Sequence, residues 1–224
     1  MFGRTLLIAG GWIDFDFSKD FLEKETFDTV IGVDAGLDAA KQLGIVPDHA
    51  IGDFDSASLP EVSQARERSE KGRIGAFLKY PVKKDATDLH LALLFAIENK
   101  AEKIVVLGAT GRRMDHFLAN VDILLVALKA GVPAFLVDRY NKIYLMEKQH
   151  VFRKEFLSGT YISFLPYTES AEGVTLQGFA YELSQAVLIK GESIGVSNEM
   201  GEGRDTAVAE VKKGILVVVE SKDM

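Results

Sequence analysis

Along residues 1–138, short apolar runs alternate with longer stretches whose apolar positions recur every three or four residues. The runs Thr5 to Ala9, Thr29 to Val33, Ala50 to Gly52, Ala76 to Tyr80, Lys103 to Leu107 and Pro133 to Val137 predict strands. Ala35 to Leu43, Glu61 to Lys71, Ala86 to Asn99 and His116 to Ala130 predict helices, the first and last closed by Gly44 and Gly131. Leu89, Ala92, Leu93, Ala96 and Ile97 give the third of these a single apolar stripe. Parallel strands need a crossover between them, and amphipathic helices supply it, so the alternation predicts an α/β fold with a mainly parallel sheet flanked by helices.

After Arg139 the helical period disappears. Lys142 to Met146, Thr160 to Leu165, Tyr181 to Leu183, Ala207 to Val211 and Ile215 to Glu220 are short β-rich runs separated by Gly, Ser and Glu. They predict a C-terminal antiparallel, β-sandwich-like domain over 139–224, following an α/β domain over 1–138. No Pro/Gly-rich linker separates the two.

Composition narrows the classes. With 224 residues, 47% of them hydrophobic, the chain can bury a substantial core. No apolar run approaches the ~18–20 residues that cross a bilayer, and the first apolar stretch is too short for a secretory signal. Cysteine is absent, which excludes disulfides, thiolate nucleophiles and Cys-bound zinc. A cytoplasmic protein without a membrane partner is therefore expected. The net charge of -7 and pI near 5.2 argue against a nucleic-acid partner, which needs a basic footprint. A small polyphosphate bridged by a cation is compatible with that charge.

In an open parallel sheet, ligands gather outside the carboxyl ends of the strands. Polar and acidic residues cluster at four such ends here. Asp34 follows TVIGV; Asp53 and Asp55 follow the next strand in GDFDS; Lys84, Thr87 and Asp88 lie in KDATD; Gly108, Gly111, Arg113, Asp115 and His116 lie in GATGRRMDH. Each has a plainer reading. DFD suits a solvated turn, Asp34 and the Asp85/Asp88 pair suit helix caps, and Gly108 and Gly111 suit a turn. Jointly they suit a site in which carboxylates share Mg²⁺ with phosphate oxygens while Lys84, Arg113 and helix amino ends neutralise the rest. If Ile51 to Asp55 is extended, Asp53 and Asp55 point the same way.

VDAGLDAAKQLGIVPDHAIGDFDS (Val33 to Ser56), KDATD (Lys84 to Asp88), GATGRRMDHFLAN (Gly108 to Asn120) and SNE (Ser197 to Glu199) together resemble the thiamine pyrophosphokinase (thiamine diphosphokinase) family, in family order and over most of the chain. The resemblance implies an enzyme that transfers the diphosphate of ATP to thiamine, with Mg²⁺, as a homodimer whose sites use both subunits. It implies that Asp53, Asp55 and Asp88 are catalytic metal-binding carboxylates and that Arg113 is catalytic. Asp34, Lys84, Thr87, Gly108, Gly111, Asp115 and His116 match positions around the nucleotide, and Ser197 and Asn198 match the segment that reaches thiamine. Thr110 and Arg112 depart from the family's common Leu and Gly, and Met200 stands where many members carry an aromatic. The alternatives are a related pyrophosphokinase acting on another alcohol, such as a hydroxymethylpterin, and a non-catalytic nucleotide- or Mg²⁺-binding regulator.

Overall fold

The computed structural model describes residues 1–111 and 113–223, so Arg112 lies outside the described residues. The chain divides into two compact units, Met1–Arg139 and Tyr140–Met224.

In the first unit the strands are β1 (Gly3–Ile8), β2 (Thr29–Val33), β3 (His49–Gly52), β4 (Phe77–Lys79), β5 (Ala101–Leu107) and β6 (Ala134–Val137). They are parallel and lie in the order β6-β5-β1-β2-β3-β4. The chain order reverses between β1 and β5, and such a reversal opens a crevice where the two crossovers leave in opposite directions. The helices are α1 (Phe15–Lys24), α2 (Gly36–Gln42), α3 (Leu59–Glu70), α4 (Asp88–Glu98) and α5 (Met114–Lys129). Leu6, Leu7 and Ile8 are fully buried because both faces of β1 are covered, which is why β1 reads as a continuous apolar run. Leu6 and Ile8 pack with Ala39 and Ala40 of α2 and with Phe15, Phe17 and Phe21 of α1. Phe54 packs with Ala65 of α3 and stacks on Phe77, ring centroids 4.8 Å apart.

Helix α1 is absent from the sequence-based expectation. Its FDFSKDFLEK pattern starts with period two and only later shows a helical face, while Asp14 caps it by accepting from Phe17 N at 3.0 Å. Helix α4 begins two residues later than expected because Thr87 is its cap, accepting from His90 N at 3.2 Å. Helix α5 begins earlier, which puts His116 in its first turn.

The second unit is antiparallel: β7 (Asn141–Arg153), β8 (Tyr161–Pro166), β9 (Ser170–Gln177), β10 (Leu183–Ile189), β11 (Asn198–Glu199) and β12 (Thr206–Ser221). Strand β12 pairs with β7 along most of its length, with β9 along its first half and with β8 along its second. Phe152, Phe164 and Phe179 meet edge-to-face beneath it at 5.3–5.7 Å. Three sequence expectations are corrected here. Tyr181 to Leu183 is not a strand, since β10 begins at Leu183; β9 was not foreseen; and the two runs at 207–211 and 215–220 are one strand. The Lys212-Lys213-Gly214 interruption is an irregularity in the β12–β7 register between Val211 and Leu216, where Gly214 has φ 96°. No helix among the described residues is long and apolar enough to cross a membrane.

Close backbone contact fixes where the loops of the first unit meet. A Cβ on Gly36 would lie 1.8 Å from the Ile8 carbonyl oxygen, so α2 can start against the end of β1 only with glycine there. Ala normally improves on Gly in a helix by roughly 0.5–1 kcal/mol. Gly36→Ala is expected to reverse that sign and cost about 1–3 kcal/mol through overpacking, measured by urea denaturation followed by circular dichroism.

Candidate active site

A cavity of about 570 Å³ opens at the carboxyl ends of β1, β2, β3 and β5, wholly within the first unit. That volume suits a nucleotide-sized ligand. Asp34, Asp53, Lys84, Thr87 and Asp88 line it on one side, and Gly108, Ala109, Gly111, Arg113, His116 and Asn120 on the other.

The acidic side is organised around one ammonium. Lys84 Nζ donates to Asp53 Oδ2 at 2.6 Å and to the Pro81 carbonyl at 3.2 Å, and it lies 3.0 Å from Asp88 Oδ1. The Lys84 and Asp53 side chains are only 13% and 9% exposed. The Lys84 bond holds the Asp53 carboxyl below the usual carboxylate range, against the upward push of burial. Burial pulls the Lys84 ammonium down, but its bonds to Asp53 and Asp88 outweigh that and leave it above the ordinary lysine range. Asp34 is different. Burial pushes its carboxyl up, the Ala35 N–H opposes this, and Asp88, Asp53 and Asp55 push it further up.

Asp34 Oδ1 is buried and accepts no hydrogen bond among the described residues. One carboxylate oxygen from each of Asp34, Asp53 and Asp88 lies within 4.8 Å of the others. Three clustered carboxylates, two of them paired with one ammonium and the third, Asp34, with a buried oxygen unpartnered among the described residues, form a donor set that fits a hard divalent cation.

Asp55 is not part of this cluster. Strand β3 stops at Gly52, and Phe54 takes φ 60°, a left-handed conformation that breaks the expected alternation. Phe54 is thereby buried while Asp55 is exposed, accepting from Ser56 Oγ at 2.8 Å. The Asp55 N–H donates to Asp53 Oδ1 at 3.2 Å, so Asp53 makes the turn as well as facing the ammonium.

On the opposite side, Gly108 (φ 73°) and Gly111 (φ 86°) bend the loop from β5 into α5. Arg113 is exposed and paired with Asp115, its Nη2 2.6 Å from Oδ2 and its Nε 3.2 Å from Oδ1. That pairing lowers the Asp115 carboxyl to about 2. Arg113 and His116 line the cavity; Asp115 does not. Thr110 is buried with Oγ1 unpartnered among the described residues and lies outside the cavity lining.

Ser197 and Asn198 belong to the second unit. Ser197 (φ 56°) is exposed, and its N–H donates to Ser163 Oγ at 3.0 Å. Asn198 is buried with its amide committed: Oδ1 accepts from Tyr181 N and Glu199 N, and Nδ2 donates to the Tyr181 carbonyl. It shapes the turn that presents Ser197. Met200 is half-buried and bridges Phe179 in an isolated antiparallel pair.

The sequence reading missed the loop after β1 and Asn120. Ala9, Gly10 and Gly11 line the cavity, and Gly11 N donates to the Gly108 carbonyl at 2.9 Å. A Cβ on Gly11 would sit 2.2 Å from that oxygen. The available signal was a glycine pair directly after a buried strand. It carries no charge, so a search for titratable groups passes over it.

Two family models match the chain in succession: "Thiamin pyrophosphokinase, catalytic domain" at residues 22–136 and "Thiamin pyrophosphokinase, vitamin B1 binding domain" at residues 149–216. Over 193 residues the chain is 37% identical to a thiamine pyrophosphokinase of Bacillus subtilis, covering 86% of this chain and 87% of the relative. It resembles the crystal structure of the Bacillus subtilis thiamine pyrophosphokinase with a TM-score of 0.82 and 31% identity, covering 99% of this chain and 100% of that one. The thiamin pyrophosphokinase of Candida albicans gives a TM-score of 0.76 at 16% identity over 98% of this chain and 89% of that one, a likeness of fold.

The opposite displacements of Asp34 and Asp53 give opposite pH dependences. Asp53, held low, contributes stability above its ordinary pKa that is lost as pH falls through its folded value. Asp34, held high, contributes below its ordinary pKa, and that contribution is lost as pH rises through its folded value. Asparagine also tolerates the left-handed backbone at position 34, where φ is 49°. Asp34→Asn is therefore expected to raise the Tm of the ligand-free protein at pH 7 by about 1–3 °C, with the gain shrinking toward pH 4. Differential scanning calorimetry at both pH values, in chelator, checks this.

Proposed function

The chain belongs to the thiamin pyrophosphokinase family, and on that premise we propose that it transfers the β,γ-diphosphoryl group of ATP to the hydroxyl of thiamine, giving thiamine diphosphate and AMP. What carries the reading is the juxtaposition of three clustered carboxylates and a glycine loop across one nucleotide-sized cavity. The vitamin B1-binding match over residues 149–216 favours thiamine over a hydroxymethylpterin as the acceptor.

The thiamine hydroxyethyl oxygen attacks the β-phosphorus of ATP. A new oxygen–Pβ bond forms as the bond between Pβ and the oxygen bridging to Pα breaks; AMP departs with that oxygen, and the hydroxyl proton is released. Such transfer depends mainly on positioning and on compensating charge. Asp53 and Asp88, with Asp34 beside them, are the residues that would hold Mg²⁺, which when bound neutralises charge on the phosphate oxygens. Lys84 lines the cavity beside the carboxylates, and its ammonium suits a phosphate oxygen as a point charge. Arg113 offers a planar fork once it leaves Asp115, and its 70% exposure makes that exchange inexpensive. The N-terminal turn of α5, with His116, adds a favourable dipole.

The second unit is assigned the acceptor, through the exposed Ser197 on the turn that Asn198 holds. A homodimer in the cytoplasm completes the proposal. The cysteine-free, acidic chain supports that setting.

The purified protein is expected to form AMP from ATP only when thiamine and Mg²⁺ are both present, read by separating nucleotides chromatographically. AMP formed at the same rate without thiamine would reject the acceptor. Asp53→Asn is expected to lower kcat by more than about 100-fold, and Asp55→Asn by less. Equal losses would show that Asp55 turns into the site when nucleotide binds.

A further inference from the structure

Asn120 sits on the cavity wall without being an obvious ligand-binding residue. It is the seventh residue of α5, where asparagine is a poor helix former, and it is buried, where an unused amide is costly. Its Nδ2 donates to the Ala109 carbonyl at 2.8 Å. That carbonyl belongs to the middle of the glycine loop. The preceding carbonyl, of Gly108, accepts from Gly11 N at 2.9 Å. Two successive carbonyls are thus tied back by donors from different elements.

The consequence follows from peptide planarity. In a trans peptide the N–H points opposite to the C=O, so fixing the Gly108 and Ala109 carbonyls also fixes the Ala109 and Thr110 N–H groups. Among the described residues neither N–H donates to a backbone carbonyl. Gly108, Ala109 and Gly111 line the cavity, so fixing these two peptides fixes the stretch of backbone that faces a ligand there.

We propose that Asn120 is a positioning residue for the phosphate end of the nucleotide: its side-chain amide latches the Ala109 carbonyl and so presets the Gly108–Gly111 loop that receives the polyphosphate. This rests on the nucleotide reading of the cavity given above. Asn120 acts through the loop, and its loss disturbs nucleotide binding far more than thiamine binding.

The test compares wild type, Asn120→Ala and Asn120→Asp. Alanine removes the latch, and aspartate replaces the donor by an acceptor that repels the Ala109 oxygen. Binding of a non-hydrolysable ATP analogue with Mg²⁺ is measured by isothermal titration, and KM for ATP and for thiamine are measured separately. The expected result for Asn120→Ala is a Kd for the analogue and a KM for ATP raised about 10–100-fold, the scale of losing one or two hydrogen bonds to a charged group, with thiamine KM within about twofold of wild type. Asn120→Asp is expected to be at least as weak for the analogue. Should the aspartate variant fail to fold, the alanine variant carries the test. An alanine variant that melts earlier yet keeps wild-type analogue affinity would overturn the latch and leave Asn120 a packing residue. Equal rises in both KM values would overturn it too. The binding measurement stands apart from turnover: a wild type that binds the analogue but forms no AMP sinks the transfer reaction and still allows the latch to be judged.

Discussion

Taking Asp53 and Asp88 out of water is costly unless a cation stays with them, and Lys84 is that cation, at 2.6 and 3.0 Å. The three residues come from two different strand-to-helix connections, so the ion pair ties the end of β3 to the start of α4. It also explains why like charges can stand together. An ammonium shared between two carboxylates lowers the electrostatic cost of the cluster without cancelling it. The excess negative charge falls on Asp34, whose buried oxygen has no partner among the described residues. That uncompensated carboxylate oxygen is the feature on which the proposed Mg²⁺ site rests.

The sheet puts that cluster where it can be used. Parallel strands all deliver their loops to the same edge, and at the reversal of chain order between β1 and β5 the crossovers leave in opposite directions and open a crevice. Glycines then set how closely the crevice walls approach. Gly36 lets α2 begin against Ile8, and Gly11 lets the β1 loop bond to Gly108. Charge on one wall and open backbone on the other are both consequences of strand order plus a few missing side chains.

How much of this was legible in the sequence depended on whether the local pattern matched the structure's own period. Strands β1, β2 and β5 were legible because burial on both faces leaves a continuous apolar run. Helix α1 was not, because Phe15 and Phe17 flank Asp16 in the manner of a strand, and only packing against Leu6, Ile8 and Val105 reveals the helical face. Strand β12 looked broken because two lysines and a glycine interrupt it, although hydrogen bonding to β7 resumes beyond them. In the site, Asp34, Asp53, Lys84 and Asp88 were legible as charges at strand ends. Asn120 and the Ala9–Gly11 loop were not, since a buried amide and a glycine pair act through geometry that no residue type announces.

The stretch GDFDS shows why period alone was insufficient. An extended reading gives Asp53 and Asp55 the same orientation, but Phe54 adopts φ 60°, which a bulky side chain rarely accepts. The compensation is visible: Phe54 stacks on Phe77 and packs against α3, while Asp53 accepts from the Asp55 N–H and closes the turn. Apolar burial on one side and a side-chain turn on the other together offset the backbone strain. The result turns one carboxylate toward Lys84 and the other toward solvent. Asp53 is thus both the residue that makes the turn and the residue that the turn delivers to Lys84, while Asp55 takes the solvated half of the same turn.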